Sequence, residues 1–187
     1  DGHNPAGFSF SQRRREELLA IAKKEGILIV EDAPYVYINY AQASARPQPF
    51  FALDPKQTVH LFTGSKIGFP GPRIGFFFSE AMLTIADGQE VSLAEMALTE
   101  SSSDLLFQNP GALRGFEALL HKQVDSGEFE LLDSMWPLAE RKLLVYRENR
   151  EIMLNILQRE LSALSDHVTW TNPGAGFFTV FRFETDN

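Results

Sequence analysis

The sequence predicts an α/β fold: a mostly parallel sheet with flanking helices, followed by the start of a smaller α+β unit. Short aliphatic runs of strand length, Ile27 to Val30 and Thr58 to Thr63, alternate with stretches of helical periodicity, the pattern of a doubly wound sheet. Each run hands over at its carboxyl end to polar residues, Glu31-Asp32 after the first and Gly64-Ser65-Lys66 after the second, and that is where α/β folds place ligands. A long amphipathic stretch from Ser134 to Leu164 then leads into alternating apolar residues up to Phe183, which suits a second, smaller unit.

Taken in order, Ser9-Phe10-Ser11-Gln12 offers a capping-box start for a helix running to about Glu25, with Leu18, Ile21 and Ala22 inward and Gly26 as the stop. Ile27 to Val30 reads as a buried parallel strand. Residues 42–55, with three prolines, read as an irregular connection. Thr58 to Thr63 and Arg73 to Phe78 read as strands, the latter's phenylalanines as core. Glu80 to Ala86 and Leu93 to Glu100 look helical, interrupted by Asp87-Gly88, with a helix–loop boundary at Ser101 to Ser103. Asn109-Pro110 is an N-cap followed by a proline at the first helical position, opening a helix to about Val124. The Ser134 to Leu164 helix comes next, and Val168 to Thr171 and Gly176 to Phe183 are the last two strands. The domain boundary falls near Ser134, giving residues 1–133 and 134–187.

Composition narrows the function. At 187 residues and 44% hydrophobic, the chain can bury a real core. Its net charge of -8 argues against nucleic acid, whose binding rests on cationic patches. The one basic cluster, Arg13-Arg14-Arg15, precedes Glu16-Glu17 and reads as a solvated helix face with local ion pairs. No stretch approaches a membrane span, no signal peptide is visible, and the cytoplasm is the default setting. There are no cysteines, and the four histidines lack ligand spacing, so no metal site is expected.

Three motifs carry chemistry. Lys66 sits in a loop with Thr63, Gly64, Ser65 and, seven positions on, Arg73; such a lysine suits a Schiff-base site for a phosphorylated aldehyde cofactor. Asp32 ends an apolar strand with Tyr35 three residues later, and Asn4-Pro5-Ala6-Gly7 opens the chain. Singly, a loop Ser-Lys pair is usually solvated, an aspartate after a strand is often a cap, and Asn-Pro is ordinarily a turn. Gly64 suits either a close backbone approach to phosphate or a turn requirement.

The order and spacing of these motifs resemble the class I/II aminotransferases of the pyridoxal phosphate fold-type I superfamily, and the run from Ser65 to Arg73 leans toward the valine–pyruvate branch. The resemblance extends along nearly the whole chain, since the long helix and Pro173 to Phe178 are similar to the start of that family's C-terminal domain. It implies a pyridoxal phosphate-dependent transferase-like large domain over 1–133, a bridging helix and part of a small domain over 134–187, and a chain lacking the family's N-terminal part and extreme C-terminus. It further implies Lys66 as the residue bonded to the cofactor and as the proton-transfer base, and Asp32 as partner of the pyridine nitrogen. Tyr35 and Asn4 would donate to the ring oxygen, and Arg73, Ser65 and Thr63 would hold the phosphate. Family members have serine at the Thr63 position and a bulkier residue than Gly64.

The expected function is therefore transfer of an amino group between an L-amino acid and a 2-oxo acid, with pyridoxal 5′-phosphate as cofactor and a homodimer as the working assembly. Catalytic roles fall to Lys66, Asp32 and Tyr35. Alternatives are a lyase, decarboxylase or oxidase on the same scaffold, a non-catalytic piece of such an enzyme, or a phosphate-binding regulatory module.

Overall fold

A computed structural model describes residues 1–106 and 108–184. The chain divides into two compact units, one of Phe10–Pro34 with Pro47–Leu132, the other of Asp1–Ser9, Tyr35–Arg46 and the chain from Asp133 onward.

The first of these is built on a three-stranded sheet. Helix α1, Gln12–Glu25, is capped by Ser11, whose side chain accepts from the Arg14 N–H, and ends at Gly26 in the left-handed conformation, φ 65°. The cap is thus two residues later than a capping box at Ser9 would put it. The helix buries Arg15, Leu19 and Ala22, whereas Ile21 is exposed. Strand β1, Ile29–Asp32, pairs in parallel with β2, Thr58–Thr63, with Asp32 opposite Leu61; β3, Gly75–Phe78, joins β2 antiparallel. β1 begins two residues later than the aliphatic run suggests, and it is not buried on both faces, since Val30 is 61% exposed while Glu31 is buried. A short helix α2, Phe50–Leu53, interrupts the proline-rich connection and buries Phe50.

Beyond β3 the structure corrects the helical reading of 80–86. β4, Met82–Thr84, and β5, Glu90–Ser92, form an antiparallel hairpin whose turn carries Gly88 at φ 84°, so Asp87-Gly88 is a hairpin signal and not a break between helices. Helix α3, Leu93–Leu105, runs through the serine run, where Ser102 and Ser103 donate to the carbonyls of Leu98 and Thr99 four residues back. Helix α4, Pro110–Leu119, has the expected Asn109 cap and proline start. It stops early, because residues 121–123 form β6, His121–Gln123, paired with β7, Phe129–Leu131.

In the other unit the long helix is α5, Trp136–Leu161, followed by a short 3-10 turn, Ser162–Leu164. β8, Val168–Trp170, pairs antiparallel with β9, Phe181–Phe183. The core gathers Tyr35, Ile38 and Leu143 with Tyr40, Trp136, Tyr146 and Phe178 around them. Residues 173–178 are not a strand; backbone bonds tie them to 38–40, with Gly176 N–H donating to Ile38 O at 2.7 Å and Tyr40 N–H to Gly174 O at 3.0 Å. No helix among the described residues is long and apolar enough to cross a membrane.

Candidate functional site

Because β1 and β2 run parallel, their carboxyl ends lie side by side, and Asp32 ends one strand where the other feeds the lysine loop. Asp32 alternates with Glu31 on the strand, so the one is exposed and the other buried. The Ala33 N–H donates to Leu61 O at 2.9 Å, continuing the ladder past Asp32. No hydrogen bond or ion pair from the described residues reaches the Asp32 carboxylate.

The loop between β2 and β3 is closed at its base by Ile74 O, which accepts from the Gly64 N–H at 3.2 Å and from Thr63 Oγ1 at 3.0 Å. Thr63 Oγ1 also accepts from the Ser65 N–H at 3.2 Å. Its single hydroxyl proton is thus committed inside the loop, and Thr63 in this geometry shapes the turn; to donate to a phosphate it would have to rotate away from Ile74. A further bond, Gly68 N–H to Gly64 O at 2.7 Å, tightens the turn that carries Lys66. The closed base returns Arg73 to the start of the loop, where its Nη1 donates to Ser65 Oγ at 3.5 Å.

Arg73 occupies the left-handed region, φ 58°, a conformation that side chains other than glycine's rarely adopt. Strain of this kind costs on the order of 1–2 kcal/mol and clusters where function requires it. Gly64 has a reason the sequence did not offer: a Cβ there would lie 2.6 Å from Cε2 of Phe116, the buried ring of α4. Close packing of a helix against the loop, rather than a positive φ, is what requires glycine at this point.

Tyr35 and Asn4 belong to the other unit. Tyr35 is buried, edge-on to Phe177 and Phe178 with centroids 5.3 and 5.6 Å away. Asn4 lies in an exposed turn, preceding a cis peptide bond to Pro5. That turn is closed by Gly7 N–H to His3 O, and Gly7, at φ 71°, leaves no room for a side chain against Pro173 and Phe178 O. Asn4's turn and Tyr35 are therefore both seated on the run from Pro173 to Phe178.

Sequence reasoning missed one ionic cluster. Arg13 and Arg14 pair with Glu17 on the solvated helix face as expected, but Arg15 points inward, 2% exposed, and its Nη1 donates to Glu31 Oε1 at 2.7 Å. Glu31 Oε2 accepts from the Phe50 N–H at 3.0 Å and lies 2.9 Å from His60 Nδ1. Burial pushes the Glu31 carboxyl up, yet the hydrogen bond and charge of His60 and the charge of Arg15 outweigh it and hold the group below its ordinary value. The signal available in the sequence was positional: Arg15 shares its face with Leu19 and Ala22 at helical spacing.

The donor set suits a phosphorylated pyridine aldehyde. Arg73 offers a guanidinium with no carboxylate partner among the described residues, Ser65 offers a hydroxyl, Lys66 offers an amine, and all three stand on one loop beside the unpartnered Asp32 carboxylate. A dianionic phosphate and a protonated ring nitrogen complement that set.

No family model matches the chain. It is 28% identical over 183 residues to aminotransferase tdiD of Emericella nidulans, covering 95% of this chain and 37% of that protein. Among solved structures it resembles the α-aminoadipate aminotransferase LysN of Thermus thermophilus, complexed with N-(5′-phosphopyridoxyl)-L-leucine, with a TM-score of 0.72 and 23% identity over 96% of this chain and 41% of that one. It also resembles the kynurenine aminotransferase of Pyrococcus horikoshii in complex with PMP, at 26% identity and a TM-score of 0.66 over 94% of this chain and 37% of that one. None of these three carries a valine–pyruvate name, and the lean toward that branch stands on the Ser65 to Arg73 motif alone. The chain spans between a third and a half of the length of these relatives, and over that span its relatives in sequence are aminotransferases and its neighbours in structure are pyridoxal phosphate fold-type I aminotransferases.

Proposed function

We propose that this chain carries the lysine half of a pyridoxal phosphate site and that the protein transfers an amino group between an L-amino acid and a 2-oxo acid. The observation that carries the reading is the loop from Thr63 to Arg73, which presents an amine, a hydroxyl and a guanidinium beside the Asp32 carboxylate, neither Arg73 nor Asp32 having an ion-pair partner among the described residues. The cofactor, when bound, supplies an aldehyde for the amine and a ring that withdraws electrons from the substrate α-carbon.

The protein's own groups would do the rest. Arg73 and Ser65 would bind the phosphate, and Thr63 would hold their loop in shape. The Asp32 carboxylate would keep a proton on the ring nitrogen, and Lys66 Nζ would carry the proton taken from the substrate α-carbon. Tyr35 and Asn4 would donate to the ring oxygen. In the same reading residues 1–133 form part of the cofactor-binding domain, and 134–187 form the bridging helix and part of the small domain. A homodimer, resting on the family likeness, and a cytoplasmic setting, taken as the default, complete the proposal.

The test is to incubate the protein with pyridoxal phosphate, reduce with borohydride and digest. A phosphopyridoxyl adduct concentrated on the Lys66 peptide and absent from Lys66→Ala is expected. Adducts spread over surface lysines, unchanged by the substitution, would refute the site. Keto-acid release that depends on an added 2-oxo acid separates amino transfer from a lyase, decarboxylase or oxidase outcome.

A further inference from the structure

Among the described residues, the buried ionisable side chains Arg15, Glu31 and His60 meet on one carboxylate. Four elements converge there: α1 through Arg15, α2 through the Phe50 N–H, β2 through His60, and β1 through Glu31 itself. With Glu31 held ionised, the His60 nitrogen facing it at 2.9 Å is assigned as the donor. Well-packed apolar side chains would serve the stability of such a place equally well, so a buried ionic network raises the question of what it specifies.

Register is the answer the geometry gives. Glu31 and His60 are direct partners across the parallel pair, and directional bonds tolerate no sliding, whereas apolar contacts do. A slip of a single residue on β1 would turn Glu31 outward and Asp32 inward. The next pair along is Asp32 with Leu61, and the Ala33 N–H to Leu61 O bond closes the far side. Asp32 has no side-chain partner among the described residues, so the backbone on either side sets where its carboxylate stands.

We propose that Glu31, bonded to His60 and Arg15, is a positioning residue: a register lock that fixes the Asp32 carboxylate where it meets the pyridine nitrogen of the cofactor. This rests on the cofactor reading given above and adds to it a role for a buried cluster remote from the reacting atoms.

The experiment compares binding of pyridoxal phosphate with that of its 1-deaza analogue, in which a C–H replaces the ring nitrogen. The ratio of the two dissociation constants isolates the Asp32 contact from phosphate and amine contacts. In the wild type the natural cofactor should bind about 10-fold or more tightly, as expected for a charge-assisted hydrogen bond. His60→Leu should lower that ratio by about 3-fold or more while affinity for the deaza analogue stays within about twofold, and His60→Gln, which restores a donor, should recover it. Glu31→Gln provides a second variant if His60→Leu does not fold. Equal weakening of both ligands, or an unchanged ratio in both variants, would overturn the lock while leaving the cofactor reading intact. A wild type that binds neither ligand, or both equally, refutes the cofactor reading and the lock with it.

Discussion

The ring of Phe116 fills the volume that a side chain on Gly64 would need, with Cε2 2.6 Å and Cδ2 2.8 Å from the position of its Cβ. Helix α4 thereby presses on the turn that carries Lys66, and the site loop takes part of its shape from a residue more than fifty positions away.

Gly64→Ala is expected to destabilise the protein by about 1–3 kcal/mol, the range for overpacking a tight interior. Phe116→Leu, which withdraws the ring, should relieve part of that penalty. In a double-mutant cycle read by urea denaturation, the pair should lose about 1 kcal/mol less than the sum of the single changes. Strict additivity would mean that the ring and the loop are independent.

Arg73 should show opposed effects on stability and binding. Arg73→Gly removes the left-handed strain of a φ of 58°, so the folded state should gain up to about 1 kcal/mol. The same change deletes the guanidinium fork, so pyridoxal phosphate should bind about 10-fold or more weakly. Thermal melting and a spectroscopic titration on one preparation measure both.

Glu31 makes stability depend on acid. Its folded value lies below the ordinary 4.5, so its contribution is fully present above about pH 4.5 and is lost as pH falls through the folded value. At pH 7, Glu31→Gln leaves the Arg15 charge buried against a neutral partner and should cost roughly 3–5 kcal/mol. The stability difference between wild type and variant, measured by denaturant unfolding from pH 7 to pH 3, should shrink only below about pH 4.5. A constant difference would show that Glu31 does not act as a carboxylate.

Thr58 is fully buried at the start of β2, and its hydroxyl oxygen has no hydrogen-bond partner among the described residues. Thr58→Val keeps the shape and removes the unsatisfied group, so a gain of about 1 kcal/mol in unfolding free energy is expected. A loss would indicate that the hydroxyl is bonded in solution.

The sequence alone determined the features that local physics controls. Thr58–Thr63 was legible as a strand to the residue, and Gly26 as a helix stop. The Asn109-Pro110 start and the long helix near 136–161 were equally plain, because apolar runs of strand length, helical periodicity, caps and proline geometry act over a few neighbouring residues. The order of Asn4, Asp32, Tyr35 and Lys66 with Arg73 was enough to suggest the likeness to aminotransferases that the relatives also show. Only the tertiary structure decided what depends on residues far apart in the chain. Arg15 reads as one of three solvated cations until the fold brings Glu31 and His60 to it. Residues 82–84 have enough helical character to mislead until β5 pairs with them. Gly64 looks like a phosphate or turn glycine until Phe116 occupies its side-chain space. Burial of a charge, pairing of a short edge strand and exclusion of a Cβ are each set by partners that no local spacing specifies.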